Sequence, residues 1–261
     1  MANDRSGDFR DRLLARRPLL GSFVKTPSIH ATEILAGLGF DFVVIDEEHA
    51  PFDRASLDLL AFAAMATGIA GIVRVSGLSS ILAALDMGAA GVLVPHVNSA
   101  GEARRAVAAS RYQNGERGCS PSPRAGRYGA LTLAEHVARA DRNTSVSVMI
   151  EHPEAVANVD EIAAVEGVDA LFLGLGDLTV ASGEASPDSP TIRRAAEAVC
   201  RAGQRHGKAL MATAASVEAG SRLLELGVTA FVAASDQGLM RSAAARELAA
   251  FQARQQEETQ P

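Results

Sequence analysis

The sequence predicts an α/β fold of the (β/α)8, or TIM-barrel, class, built as a single domain. Eight short apolar runs rich in β-branched residues alternate with Ala/Leu/Glu/Arg-rich segments of helical periodicity. The 261 residues match the usual length of one such barrel. The runs are continuously apolar and not alternating, as expected of parallel strands covered on both faces.

In chain order the runs are LLGSFV, FVVI, GIVRV, GVLVP, SVSVMI, ALFLG, KALMA and TAFVAA. A weak repeat joins them, because Gly39, Gly88, Gly167 and Gly227 each stand between a helical stretch and the next run. Glycine there can take the left-handed conformation that ends a helix and turns the chain into a strand. A doubly wound open sheet would need a G-x-G-x-x-G turn after its first strand, and GSFVKTPS is not one. The barrel is expected to span residues 1–255, with 256–261 a polar C-terminal tail. Two Gly/Pro/Ser-rich segments, 111–129 and 182–190, read as additions that follow strands and so belong on the catalytic face.

Composition narrows the function. Net charge is −6, and no basic run could track a phosphate backbone, so nucleic acid is not an expected partner. No apolar run approaches the roughly 20 residues of a membrane span, and the N-terminus lacks a signal-type apolar core. Cys119 and Cys200 show neither metal-ligand nor disulfide spacing, which fits a cytoplasmic location.

In a barrel the informative residues lie just past the C-terminal ends of the strands. These are Lys25, Asp46, Glu48, His49, Arg74, His96, Glu151 and Asp177. Glu151 and Asp177 come from consecutive strands, and two close carboxylates would repel unless a proton or a divalent cation such as Mg2+ or Mn2+ intervened. Asp177 could instead cap the helix LTVASG. Arg74, embedded in an apolar strand, has to meet an anion, either a ligand or Asp46. His49, beside Asp46 and Glu48, is either a hydrogen-bonded loop residue or an acid/base group.

Taken together, FDFVVIDEEHAP, VRV, LDMGAAGVLVPHV, GERG, MIEHPEA, VEGVDALFLGLGDLT and LGVTAFVAASD run in order over residues 21–236. This combination resembles the class II (metal-dependent) pyruvate aldolases of the HpcH/HpaI type, the family of 4-hydroxy-2-oxoheptanedioate aldolase and the 2-keto-3-deoxy sugar-acid aldolases. The resemblance implies reversible cleavage of 4-hydroxy-2-oxo acids to pyruvate or hydroxypyruvate and an aldehyde. It implies His49 as acid/base, Asp46 as the residue that orients it, and Arg74 on the keto oxygen. It also implies Glu151 and Asp177 as ligands of Mg2+, Mn2+ or Co2+, with Gly176 holding the carboxylate of the 2-oxo acid. Phe23 stands where relatives often have tryptophan, and Glu48 is expected to order water or the loop. A homo-oligomer is implied as well, often a hexamer, with the last helix exchanged between subunits.

Lys25 stands where several relatives have a small residue, Met149 where glutamine is common, and Glu47 has no evident role. Lys25 is also the one candidate for a Schiff-base mechanism, since Lys208 precedes its strand and falls at the barrel bottom. Two other functions are weighed. One is an acyl-CoA lyase of the malyl- or citramalyl-CoA type, which should show D-x-E-D and a basic groove. The other is a non-catalytic barrel that binds a 2-oxo acid and has no need of a base.

Overall fold

The computed structural model describes residues 8–214 and 217–258. Eight parallel strands close into a barrel in sequence order: β1 (Leu19–Val24), β2 (Phe42–Asp46), β3 (Ala70–Arg74), β4 (Gly91–Val94), β5 (Ser145–Ile150), β6 (Ala170–Leu173), β7 (Ala209–Thr213) and β8 (Ala230–Ser235). Each falls on one of the eight expected runs. The four repeat glycines take φ of 94° (Gly39), 97° (Gly88), 88° (Gly167) and 90° (Gly227), a left-handed region costly for a side chain.

Side chains alternate between two cores. One set packs between the sheet and the surrounding helices, and includes Val43, Ile45, Val73 and Val148. The other fills the barrel, with Phe42, Val44, Ala70, Ile72, Met149 and Phe172 among its members. Period-2 alternation carries the second set on to the site. Phe42 and Val44 lead to Asp46, Ala70 and Ile72 lead to Arg74, and Met149 leads to Glu151. These polar residues therefore leave their strands pointing inward, at the C-terminal mouth.

At the other end the barrel is plugged. Helix Phe9–Leu14 lays Phe9 and Leu13, both fully buried, under the strands, with the Phe9 ring 5.5 Å from that of Phe42. Arg10 donates to both carboxylate oxygens of Asp169, at 3.0 and 2.9 Å, and Asp169 also accepts the amide of Val146. Lys208 donates to the carbonyls of Val165 and Val168 at this same end, as its position before β7 requires. It is thus removed from any Schiff-base role at the mouth.

The segment 111–129 lies elsewhere than the sequence reading placed it. It follows helix Ala100–Ser110 and not a strand, so it leaves from the end of the barrel opposite the mouth. Arg111 donates to the carbonyl of Thr144, just before β5, and Arg117 pairs with Asp86. Arg124 ties the segment to the carboxylate of Asp58 and the carbonyl of Met87 on outer helices. The segment 182–190 does lie on the mouth side, between helix Leu175–Ala181 and helix Pro190–Arg205.

Helix Asp236–Glu258 runs into the stretch expected as a tail, and residues 259–261 lie outside those described. It leaves the barrel with Leu239, Met240, Leu248 and Phe251 exposed. Among the described residues, no helix is long and apolar enough to cross a membrane.

Candidate active site

At the mouth, β2 and β3 are in register so that Asp46 is paired with Arg74. The two side chains form a fork: Arg74 Nε donates to Asp46 Oδ1 at 2.8 Å and Nη2 to Oδ2 at 2.6 Å. Asp46 has no exposed surface and Arg74 retains 5%. Lys25 Nζ adds a third contact, 3.0 Å from Asp46 Oδ2. Burial pushes the Asp46 carboxyl up, but the hydrogen bonds and charges of Arg74 and Lys25 outweigh it, and the carboxyl sits below its ordinary range.

This geometry corrects the role expected of Asp46. Its carboxylate holds Arg74 and Lys25, not the ring of His49. It reaches His49 through the backbone, where Oδ1 accepts the amide at 3.3 Å. A one-residue-to-one-residue parallel register explains this, because paired inward residues touch while a loop residue three positions on turns away. The His49 ring is half exposed, 3.7 Å from Glu48 Oε2, which is beyond a good hydrogen bond.

Phe23, 8% exposed, forms a wall of the site, with the Arg74 guanidinium 4.8 Å and the Lys25 amine 5.7 Å from its ring centre. Asp236, at the end of β8, accepts the amides of Lys25 and Thr26, both at 3.0 Å, and so pins the loop that follows β1. Glu47 now has a place. Its Oε2 accepts the amide of Ser76 at 3.0 Å and ties the loops after β2 and β3 together.

Glu48 and His96 extend the polar chain across the mouth. Glu48 Oε2 lies 3.4 Å from Arg74 Nε, and Oε1 lies 2.9 Å from His96 Nε2. His96 Nδ1 is 3.1 Å from Glu151 Oε1, and the His96 amide donates to that same oxygen at 2.7 Å. Glu151 is 3% exposed. Burial raises its carboxyl above the ordinary value, His96 opposes the shift through its amide and charge, and the negative charges of Asp177 and Glu48 add to it.

Asp177 and Gly176 lie exposed in the first turn of helix Leu175–Ala181. Gly174 is the N-cap, so Asp177 does not cap this helix. Among the described residues, no three His, Cys, Asp or Glu side chains form a ready-made metal cage. Glu151 is buried at the mouth and feels the charge of Asp177 on the following helix, and two carboxylates suit a divalent cation of the kind that completes its shell with water and ligand oxygens. The sequence reading noted His96 among the strand-end residues but gave it no role. Its signal was its place directly after β4.

Residues 19–243 match the model of the HpcH/HpaI aldolase/citrate lyase family. A 5-keto-4-deoxy-D-glucarate aldolase of Klebsiella pneumoniae is 37% identical over 93% of this chain and 96% of its own length. Among solved structures, an HpcH/HpaI aldolase/citrate lyase family protein from Burkholderia cenocepacia superposes with a TM-score of 0.89, at 28% identity over 94% of this chain and 99% of that one. Citrate synthase SbnG superposes with a TM-score of 0.86, at 30% identity over 95% and 98%. With a barrel whose mouth gathers Asp46, Arg74, Glu48, His96 and Glu151, and with relatives of this closeness, the chain belongs to the HpcH/HpaI aldolase/citrate lyase family and is an aldolase.

Proposed function

We propose that the enzyme cleaves a 4-hydroxy-2-oxo acid to pyruvate or hydroxypyruvate and an aldehyde, using a divalent metal held by Glu151 and Asp177. The observation that carries this reading is the buried Glu151 at the mouth, joined through His96 and Glu48 to an Arg74 whose geometry is fixed by a fully buried carboxylate. The identity to a 5-keto-4-deoxy-D-glucarate aldolase makes that acid sugar the first substrate to assay. An acyl-CoA lyase and a non-catalytic barrel are not favoured by relatives that are named aldolases.

Glu151 and Asp177 would hold a divalent cation, Mg2+, Mn2+ or Co2+, which would supply Lewis-acid stabilisation of the developing enolate. The chain's own residues do the rest. His49, in the open mouth, accepts the proton of the C4 hydroxyl as the C3–C4 bond breaks. The electron pair of that bond passes into the pyruvate half, which becomes an enolate, and the aldehyde leaves. Of the five N–H groups of a guanidinium, two of Arg74 bond Asp46, which leaves three to meet the C2 oxygen as its charge grows. Asp46 acts by holding Arg74 in place. The first-turn amides of helix Leu175–Ala181, Gly176 among them, have no acceptor within the helix and suit the substrate's carboxylate. Phe23 and Glu48 shape the pocket beside Arg74.

Family resemblance supports a homo-oligomer, and the exposed apolar side chains of helix Asp236–Glu258 are the surface that a second copy of this chain would cover.

The test follows solvent deuterium into the methyl group of pyruvate. Exchange is expected to stop in EDTA, to return with Mn2+ or Mg2+, and to be absent in both Glu151→Gln and Asp177→Asn. Exchange that survives in both variants overturns the metal site.

A further inference from the structure

His96 is a residue to which the reaction as derived gives no part, yet its geometry is unusual. Its backbone is left-handed, with φ of 55°, a conformation few residues other than glycine adopt. In that conformation its amide and its ring Nδ1 both meet the same atom, Glu151 Oε1, at 2.7 and 3.1 Å. Its Nε2 meets Glu48 Oε1 at 2.9 Å. One ring therefore links the loop after β2 to the end of β5.

The other oxygen of Glu151 faces a different neighbour. A Cβ placed on Gly174 would lie 2.9 Å from Glu151 Oε2, so that oxygen sits over the bare Cα at the head of the helix that carries Asp177. Oε1 is occupied by His96, and Oε2 faces the head of the helix whose first turn carries Asp177. A carboxylate held in this way can offer only one oxygen, in one direction.

We propose that His96 is a positioning residue for the metal site: it holds Glu151 Oε1 so that Oε2 alone is presented to the head of the helix that carries Asp177, and it steadies Glu48 with its second nitrogen. This rests on Glu151 and Asp177 being the metal ligands. Hydrogen bonding of a ligand's second atom is the usual way an outer shell sets ligand direction, and its loss typically weakens metal binding about 10–100-fold. The His96 ring is 70% exposed, so its removal opens no core cavity.

The experiment is Mn2+ titration by electron paramagnetic resonance and calorimetry, on wild type, His96→Ala, His96→Asn and Glu151→Gln, with thermal melting to verify the fold. His96→Ala is expected to bind Mn2+ about 10–100-fold more weakly at an unchanged melting temperature, and His96→Asn, whose amide can still reach Glu151, to recover part of the loss. Affinity in His96→Ala within about twofold of wild type, or tighter, overturns the proposal, the tighter result marking His96 as a competitor for the carboxylate. If Glu151→Gln binds as wild type does, the metal-ligand reading itself has failed, an outcome separate from any effect at His96.

Discussion

Replacing Asp46 with Asn tests the strongest electrostatic claim made for this site. Asp46 is fully buried, and it accepts two hydrogen bonds from Arg74, which is itself 5% exposed. The amide of asparagine matches the carboxylate in size but not in charge, so the buried guanidinium loses its bidentate counterion and keeps only Glu48, 3.4 Å from Nε. Removing one partner of such a pair costs about 3–5 kcal/mol. In a domain of this size a change of 1 kcal/mol moves the melting temperature by roughly 2–4 °C, so a fall of about 6–20 °C is expected. The pH dependence is a second check. The Asp46 carboxyl is lower in the folded protein than in the unfolded chain, because Arg74 and Lys25 outweigh its burial. Its stabilisation is then fully present above the unfolded value, and is lost as pH falls through the folded value. The gap between wild type and Asp46→Asn, measured by urea unfolding, is expected to stay constant from neutral pH down to about pH 4 and to shrink only below it. A loss under about 1 kcal/mol, or a gap that closes near neutrality, would refute the argument.

Three further outcomes are expected. Gly174→Ala would place a Cβ 2.5 Å from the Cβ of Glu151, which has no rotamer by which to escape, at a backbone φ of −85° that alanine tolerates. It should cost about 1–3 kcal/mol and weaken Mn2+ binding, and wild-type affinity in calorimetry would show that Glu151 is not set by this contact. His49→Ala should lower cleavage, followed as pyruvate release, by about 10²–10⁴-fold while Mn2+ affinity holds, and near-normal turnover removes His49 as the base. Leu248→Asp with Phe251→Asp should reduce the mass measured by light scattering while leaving the far-ultraviolet circular dichroism intact, since both side chains are exposed on the barrel; an unchanged mass places the subunit contact elsewhere.

The strands were legible in the sequence because each is covered on both faces and so reads as an unbroken apolar run. Their C-terminal ends could be counted off directly, which put Asp46, Arg74, Glu151 and His96 at one mouth. Partnership within the mouth was not legible. That Asp46 holds Arg74 and not the His49 ring depends on the register between β2 and β3, which no local pattern reports. The segment 111–129 was assigned to the wrong face because its Arg- and Gly-rich composition says loop, while its side of the barrel depends on helix Ala100–Ser110 coming first. His96 went without a role because its effect needs a left-handed backbone that is unusual outside glycine.

The clasp that Asp236 makes on the amides of Lys25 and Thr26 spans 211 and 210 positions of the chain. It sits beside the pairing of β1 with β8 that closes the barrel. On a ribosome adding about 5–20 residues per second, β1 waits roughly 10–40 s for that neighbour. Throughout that time its outer edge is an unpaired strand margin, open to other chains. Nascent chains cut short of residue 236 lack the anchor for the loop that follows Phe23, so no half-barrel fragment holds a finished mouth. The order of synthesis thereby leaves one edge of the first strand open until the last strand arrives.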